Sequence, residues 1–151
     1  MENQNSSLII RKAEPQDVHD MAELEKICFA SPWSEESLYH EIIRNDMALY
    51  IVAEDGGRIV GYAGIWLIVD EGHITNVAVH PDYRRRHIGE AIVSTILAEA
   101  ETAGAVRQTL EVRRSNTPAQ GLYAKFGFMA AGVRKGYYED NKEDAIIMWR
   151  E

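Results

Sequence analysis

Cysteine, positive charge and long apolar runs are all scarce in this chain, and each shortage closes off a class of protein. Cys28 is the only cysteine among 151 residues, so no disulfide can form within the chain and a reducing compartment is expected. Its neighbours Ile27 and Phe29 mark it as a packed thiol rather than a nucleophile. Lys and Arg number 16 against 24 Asp and Glu, a net charge of −8. That balance supplies no basic face of the kind nonspecific nucleic-acid binding requires, and it leaves room for a cationic partner. The longest apolar stretch, residues 59–69, falls short of the roughly 20 residues that cross a bilayer and reads as a buried strand. The opening MENQNSS has no basic segment followed by an apolar one, so no leader is expected and the cytoplasm is the expected location. His73, His80 and His87 lack acidic or cysteine partners at metal-ligand spacing, so no metal is expected. Repeats, low-complexity segments and linkers rich in Pro, Gly or Ser are also missing, and the expectation is one domain over residues 1–151.

What is present is an alternation of strand and helix patterns. Strands are expected at 8–12, 49–54, 58–69, 73–80, 106–113, 128–137 and 143–150. Helices are expected at 17–29, from a Ser34 cap onward, from about 88 to Gly104, and at 116–126. Asp55-Gly56-Gly57 reads as a hairpin turn, and Asp70-Glu71-Gly72 as a second turn. The fold class that follows is α/β (α+β): a mixed, mostly antiparallel sheet of six or seven strands flanked by helices.

One segment concentrates the chemistry. In NVAVHPDYRRRHIGEAIVSTIL a strand ends at His80-Pro81, a basic turn carries Arg84, Arg85 and Arg86, and a helix begins with Ile88, Ala91 and Ile92 on its apolar stripe. Backbone N–H groups at a helix start have no intrahelical partner and favour an anion. Three arginines there point to phosphate, with a solvated basic face as the plainer alternative. On the strand 106–113, period two puts Val106, Leu110 and Val112 on one face, and Glu111 on the other with Arg107, Thr109 and Arg113. Glu111 is therefore free to face a cleft or solvent, and periodicity does not choose.

These segments carry a resemblance. NVAVHPDYRRRHIG, LEVRRSN and GLYAKFGF, in that order, are similar to the GCN5-related N-acetyltransferase family, and the likeness spans nearly the whole chain. The family's phosphate loop is written Q/R-x-x-G-x-G/A; Arg84 fills its first place and Gly89 its last, while His87 stands where glycine is usual. Within the family the chain is most like the RimI-type ribosomal-protein-alanine N-acetyltransferases, through FASPWSEES, LEVRRSN and GYYEDNKEDAIIMW. The resemblance implies acetyl-CoA as co-substrate and the N-terminal α-amine of a ribosomal protein, or another basic peptide, as acceptor. It implies that Arg84, Arg85, Arg86, His87, Ile88, Gly89 and Glu90 cradle the pyrophosphate. Val77, Ala78 and Val79 would form the strand edge along the pantetheine arm, and Asn116 would contact the cofactor. By residue pattern alone the valines are core, and Asn116 or Ser115 is a helix cap.

For the reaction itself, the resemblance implies Glu111 as general base and Tyr123 as general acid. The plainer alternatives are a polar-face glutamate and a packed ring beside the Leu122/Phe126 pair. Trp33, Tyr137 and Tyr138 resemble positions beside the acceptor, where Glu35, Glu36, Glu139 and Asp140 add negative charge. The competing functions are acetylation of a small amine or of lysine, and a cofactor-binding module without turnover.

Overall fold

The computed structural model describes residues 7–84 and 86–151. Seven strands form one sheet in the order β1-β2-β3-β4-β5-β7-β6. They are β1 (Leu8–Lys12), β2 (Ala48–Asp55), β3 (Arg58–Ile68), β4 (Glu71–Val79), β5 (Arg107–Arg113), β6 (Met129–Arg134) and β7 (Ala145–Arg150). Every neighbouring pair is antiparallel except β4 with β5. The helices are α1 (Val18–Cys28), α2 (Glu35–Ile43), α3 (Ile88–Thr102) and α4 (Thr117–Lys125).

Two apolar layers cover the two faces. On one, α1 and α2 bury Val18, Met21, Leu24 and Leu38 against Tyr50, Val52, Tyr62 and Ala78. On the other, α3 buries Ile88, Ile92, Val93, Ile96 and Leu97 against Ile51, Ala63, Ile65, Leu110 and Val112, with Tyr123 of α4 in the same layer. The spacing of the α3 residues is one helical stripe.

The expected hairpin at Gly56-Gly57 is a two-residue turn between Asp55 and Arg58. Both glycines have positive φ, +59° and +86°, as a type I′ turn demands. The second turn is shifted from expectation. Ile68 pairs with Glu71 and Leu67 with Gly72, so the turn residues are Val69 and Asp70, and Val69 takes a positive φ of 56°. Glu71 and Gly72 belong to β4 because the antiparallel ladder continues to the tip. The strand expected at 106–113 starts one residue later: Val106 stands outside it, mostly exposed, with its N–H on Asp70. The strand expected at 128–137 ends at Arg134, because Gly136 turns left-handed and its N–H goes to the Asp144 side chain.

Candidate functional site

β4 and β5 run parallel but pair at only three positions, Glu71/Arg107, Gly72/Gln108 and His73/Thr109. Beyond them the strands separate, and their C-terminal halves bound an open gap. Crevices at the C-terminal ends of parallel strands are where α/β sheets take ligands. A bulge shapes the β4 wall: Gly64 opposes Asn76 and Ile65 opposes Ile74, leaving Thr75 as the extra residue. The bulge switches which face alternate side chains occupy. Ile74 lies in the α3-side core, then Val77 and Val79 pack toward that core while Ala78 faces α1.

The backbone follows suit. The His80 N–H donates to Val60 on β3 at 2.8 Å, so by antiparallel alternation Val79 and Val77 turn their N–H and C=O groups away from β3. They therefore face the gap, and Ala78 pairs inward. The Val79 carbonyl accepts from the Cys28 thiol at 3.4 Å. Burial pushes the Cys28 pKa up, as suits a packed thiol.

The α3 start lies beside this wall. Ile88 is buried in the core and fixes the helix end. His87 adopts φ 60°, ψ 18°, the left-handed conformation a glycine would take, and its side chain makes no cap bond. Histidine is one of the residues that enters this region at moderate cost. Ala91 is the first residue to close a helical bond, to His87 at 3.1 Å, which leaves the N–H groups of Ile88, Gly89 and Glu90 without helical partners. A Cβ on Gly89 would lie 3.4 Å from Leu122 of α4 and 3.8 Å from Val79 of β4. The helix start thus lies between β4 and α4. Lys125 binds Glu90 at 2.5 Å and holds its carboxyl below the usual range. Arg84 is exposed, Arg86 lies 4.8 Å above the Tyr83 ring, and Arg85 falls outside the described residues.

The opposite wall gathers the other expected residues. Leu110 and Val112 enter the α3-side core, so Glu111 projects to the α1/α2 side, where Arg134 approaches it at 3.4 Å. Arg113 stacks 3.9 Å over Tyr138 and binds Asp140 through two 3.0 Å bonds and Glu143 through one of 3.2 Å. This staple orders the loop 135–144, in which Tyr137 meets Tyr138 edge-on at 5.1 Å. Tyr123 is buried edge-on against Phe128 at 5.9 Å. Burial first, then Tyr138, pushes its pKa up, so the phenol stays protonated. Burial likewise raises Tyr138 to about 12, with Glu111 among the charges it feels. Tyr138 is thus felt by Tyr123 and itself feels Glu111. Asn116 caps α4, its side-chain oxygen accepting from Ala119 at 3.1 Å.

Trp33 is half-buried on the α1/α2 side, and its backbone N–H donates to Glu25 at 2.8 Å. Glu25 and its counterpart Glu41 are buried carboxylates that the sequence reading missed. Glu25 also accepts from the Tyr62 hydroxyl and from Asn76. Glu41 accepts from Tyr50 at 2.9 Å, Trp66 at 2.5 Å and Asn45 at 3.0 Å. A signal existed: Glu25 continues the α1 stripe of Val18, Met21 and Ala22 at i+7, i+4 and i+3. Of the acids read as available for a basic peptide, Glu35 pairs with His19 and Asp140 with Arg113, whereas Glu36 and Glu139 stand exposed. Among the described residues, no group of three His, Cys, Asp or Glu is placed to hold a metal, and no helix is long and apolar enough to cross a membrane.

A parallel pair splayed beside an uncapped helix start makes a ligand crevice with an anion-binding end, and residues 18–128 match the model of the Acetyltransferase (GNAT) family. The chain belongs to that family. It is 45% identical over 93% of its length to a Bacillus subtilis (strain 168) protein, itself covered to 93%, provisionally named as a ribosomal protein bS18-alanine N-acetyltransferase. It is 37% identical over 83% of its length to the ribosomal protein bS18-alanine N-acetyltransferase of Salmonella typhimurium, covering 85% of that protein. The crystal structure of the ribosomal-protein-S18-alanine N-acetyltransferase from Escherichia coli superposes with a TM-score of 0.87 at 33% identity, covering 95% of this chain and 92% of that one.

Proposed function

We propose that this chain transfers the acetyl group of acetyl-CoA to the N-terminal α-amine of a protein, with an N-terminal alanine on a ribosomal protein as the first acceptor to test. The relatives named above support the acceptor class. The observation that supports the reaction class is the gap itself: β4 and β5 part beyond three pairs, and the free N–H groups of the α3 start lie beside β4. The cytoplasm is the proposed location, in keeping with a single unpaired cysteine.

The N–H groups of residues 88–90 bind the pyrophosphate, with Arg84, Arg85 and Arg86 adding charge. The gap-facing N–H groups of Val77 and Val79 receive the pantetheine arm, in the manner of a strand added to an open edge. Glu111 takes a proton from the acceptor ammonium, directly or through one water. The amine nitrogen then bonds to the thioester carbonyl carbon, the carbon–sulfur bond breaks, Tyr123 protonates the departing thiolate, and the surplus proton on the acylated nitrogen passes to the Tyr123 phenolate, directly or through water. The products are the acetylated amine and free CoA thiol, and no covalent enzyme intermediate is needed.

A modest base suffices for this acceptor. An α-amine has a pKa of about 7.8 and lysine about 10.4, and the difference of about 2.6 units is worth roughly 3.5 kcal/mol of deprotonation. Trp33, Tyr137 and Tyr138 line the acceptor side, where Glu36 and Glu139 favour a basic peptide.

Incubation with acetyl-CoA and peptides varied at the first residue, each product weighed by mass spectrometry, tests the reading. Acetylation at the free N-terminus, strongest with alanine, is expected. Acetyl mass found only on internal lysines or small amines contradicts it.

A further inference from the structure

Asn76 carries an unexplained atom. Its side-chain Oδ1 is shielded from water and has no hydrogen-bond partner. Buried acceptors are nearly always satisfied, and an exception in a native structure asks for a reason. Its amide orientation is set by Glu25, to which Nδ2 donates at 3.4 Å; a carboxylate accepts only, so the nitrogen faces Glu25 and the oxygen faces away.

The position of that oxygen supplies the reason. Asn76 lies three residues past His73, the last β4 residue paired to β5, and so stands on the wall of the gap. Its side chain is on the α1/α2 side, because Glu25 belongs to α1. Glu111 occupies the opposite wall and projects to the same side. Asn76 and Glu111 thus stand on the two strands that bound the gap, with their side chains on the face away from α3. A primary ammonium has three N–H donors and needs more than one acceptor to fix its lone-pair axis.

We propose that Asn76 Oδ1 receives one N–H of the acceptor amine while Glu111 faces another, with Glu25 as the positioning residue that keeps the oxygen turned that way. This rests on the acetyl-transfer reading above. Glu25 links the grip to the rest of the acceptor side, since the same carboxylate holds the Trp33 backbone N–H at 2.8 Å. It is 1% exposed, so its orientation of the amide is sheltered from competition by water.

The test compares steady-state kinetics of the wild type with Asn76→Ala, Glu25→Gln and the double variant Glu25→Gln/Asn76→Asp. The substrates are acetyl-CoA and a peptide with a free N-terminal alanine, and calorimetry gives acetyl-CoA affinity. Asn76→Ala is expected to raise the peptide KM about tenfold, the loss of roughly one hydrogen bond, with acetyl-CoA affinity within twofold. Glu25→Gln presents an amide N–H to Asn76, turns that side chain over and aims its NH2 at the amine, so a similar KM rise is expected. The double variant restores a donor facing an acceptor and leaves a second Asp oxygen toward the amine; its peptide KM is expected within threefold of wild type. An unchanged peptide KM in Asn76→Ala overturns the proposal. So does a double variant no better than Glu25→Gln, or a parallel loss of peptide and acetyl-CoA affinity, which marks a merely structural role. Wild-type protein that binds acetyl-CoA yet acetylates no peptide amine removes the acetyl-transfer reading itself, and the proposal falls with it in that first assay.

Discussion

Glu111 and Tyr123 share the proton traffic of the proposed reaction from different surroundings. Glu111 sits half-exposed beside Arg134, and Tyr123 is buried with its proton held tightly. Glu111→Gln is expected to lower kcat about 100-fold at pH 7. The deficit should shrink as pH rises through about 8, where the α-amine deprotonates unaided; a pH profile of kcat for both proteins checks this. Tyr123→Phe should lower kcat by about tenfold or more at every pH below 10. His87 makes a separate case. Its left-handed backbone is open to glycine without strain, so His87→Gly should leave acetyl-CoA affinity within about twofold by calorimetry, whereas β-branched His87→Val should weaken it, because a side chain branched at Cβ resists positive φ. These residues stand in readable contexts: a glutamate opposite two core positions, a tyrosine in a helix ending in glycine, a histidine in a loop of known pattern. Glu25 was legible only as a place on the α1 stripe; its hydrogen-bond partners Tyr62 and Asn76, like Trp66 for Glu41, are distant in sequence.

Among elements, α3 and its entry are the proposed cofactor-binding unit. The apolar stripe from Ile88 to Leu97 foretold the helix, and the strand before it foretold where the N–H groups would lie. At Gly89 neither φ nor space demands glycine, since a Cβ would meet Leu122 at ordinary contact distance, but there is little room beyond it. Gly89→Ala should therefore bind acetyl-CoA nearly as well as wild type. Gly89→Leu should push α3 away from Val79 and Leu122 and abolish detectable binding by calorimetry. The loop 135–144 shows what sequence could not give. Period two extended its first strand to Tyr137, yet Arg113 on β5 captures Asp140 and Glu143 and bends the chain off the sheet. Arg113→Ala should release Tyr138 and raise the peptide KM several-fold, with acetyl-CoA affinity little changed. The bulge at Thr75 was equally hidden: residues 73–80 read as a plain alternating strand, and only the register against β3 reveals the switch of face.

At the level of the whole molecule, the sheet of seven strands and the placement of helices on both faces followed from the pattern of strands, turns and amphipathic helices. The splay between β4 and β5 did not, because pairing is a property of two segments about 35 residues apart. Four tyrosines, Tyr50, Tyr62, Tyr123 and Tyr138, have pKa values raised chiefly by burial. The unfolded chain loses these protons near pH 10 while the folded state keeps them, so the unfolded state binds fewer protons above that pH. Stability is therefore intact below about pH 10 and falls as pH rises beyond it. Thermal melts from pH 8 to 11 should show this fall, shallower in Tyr123→Phe. Binding of acetyl-CoA should oppose unfolding by about 2.7 kcal/mol at a hundredfold excess over Kd. The central claim is that the gap between β4 and β5, closed at one end by the α3 start, is an acyl-CoA site. Calorimetric titration of the folded protein with acetyl-CoA tests it most directly: the account predicts saturable heat with one site per chain, and no heat at millimolar concentration would contradict it.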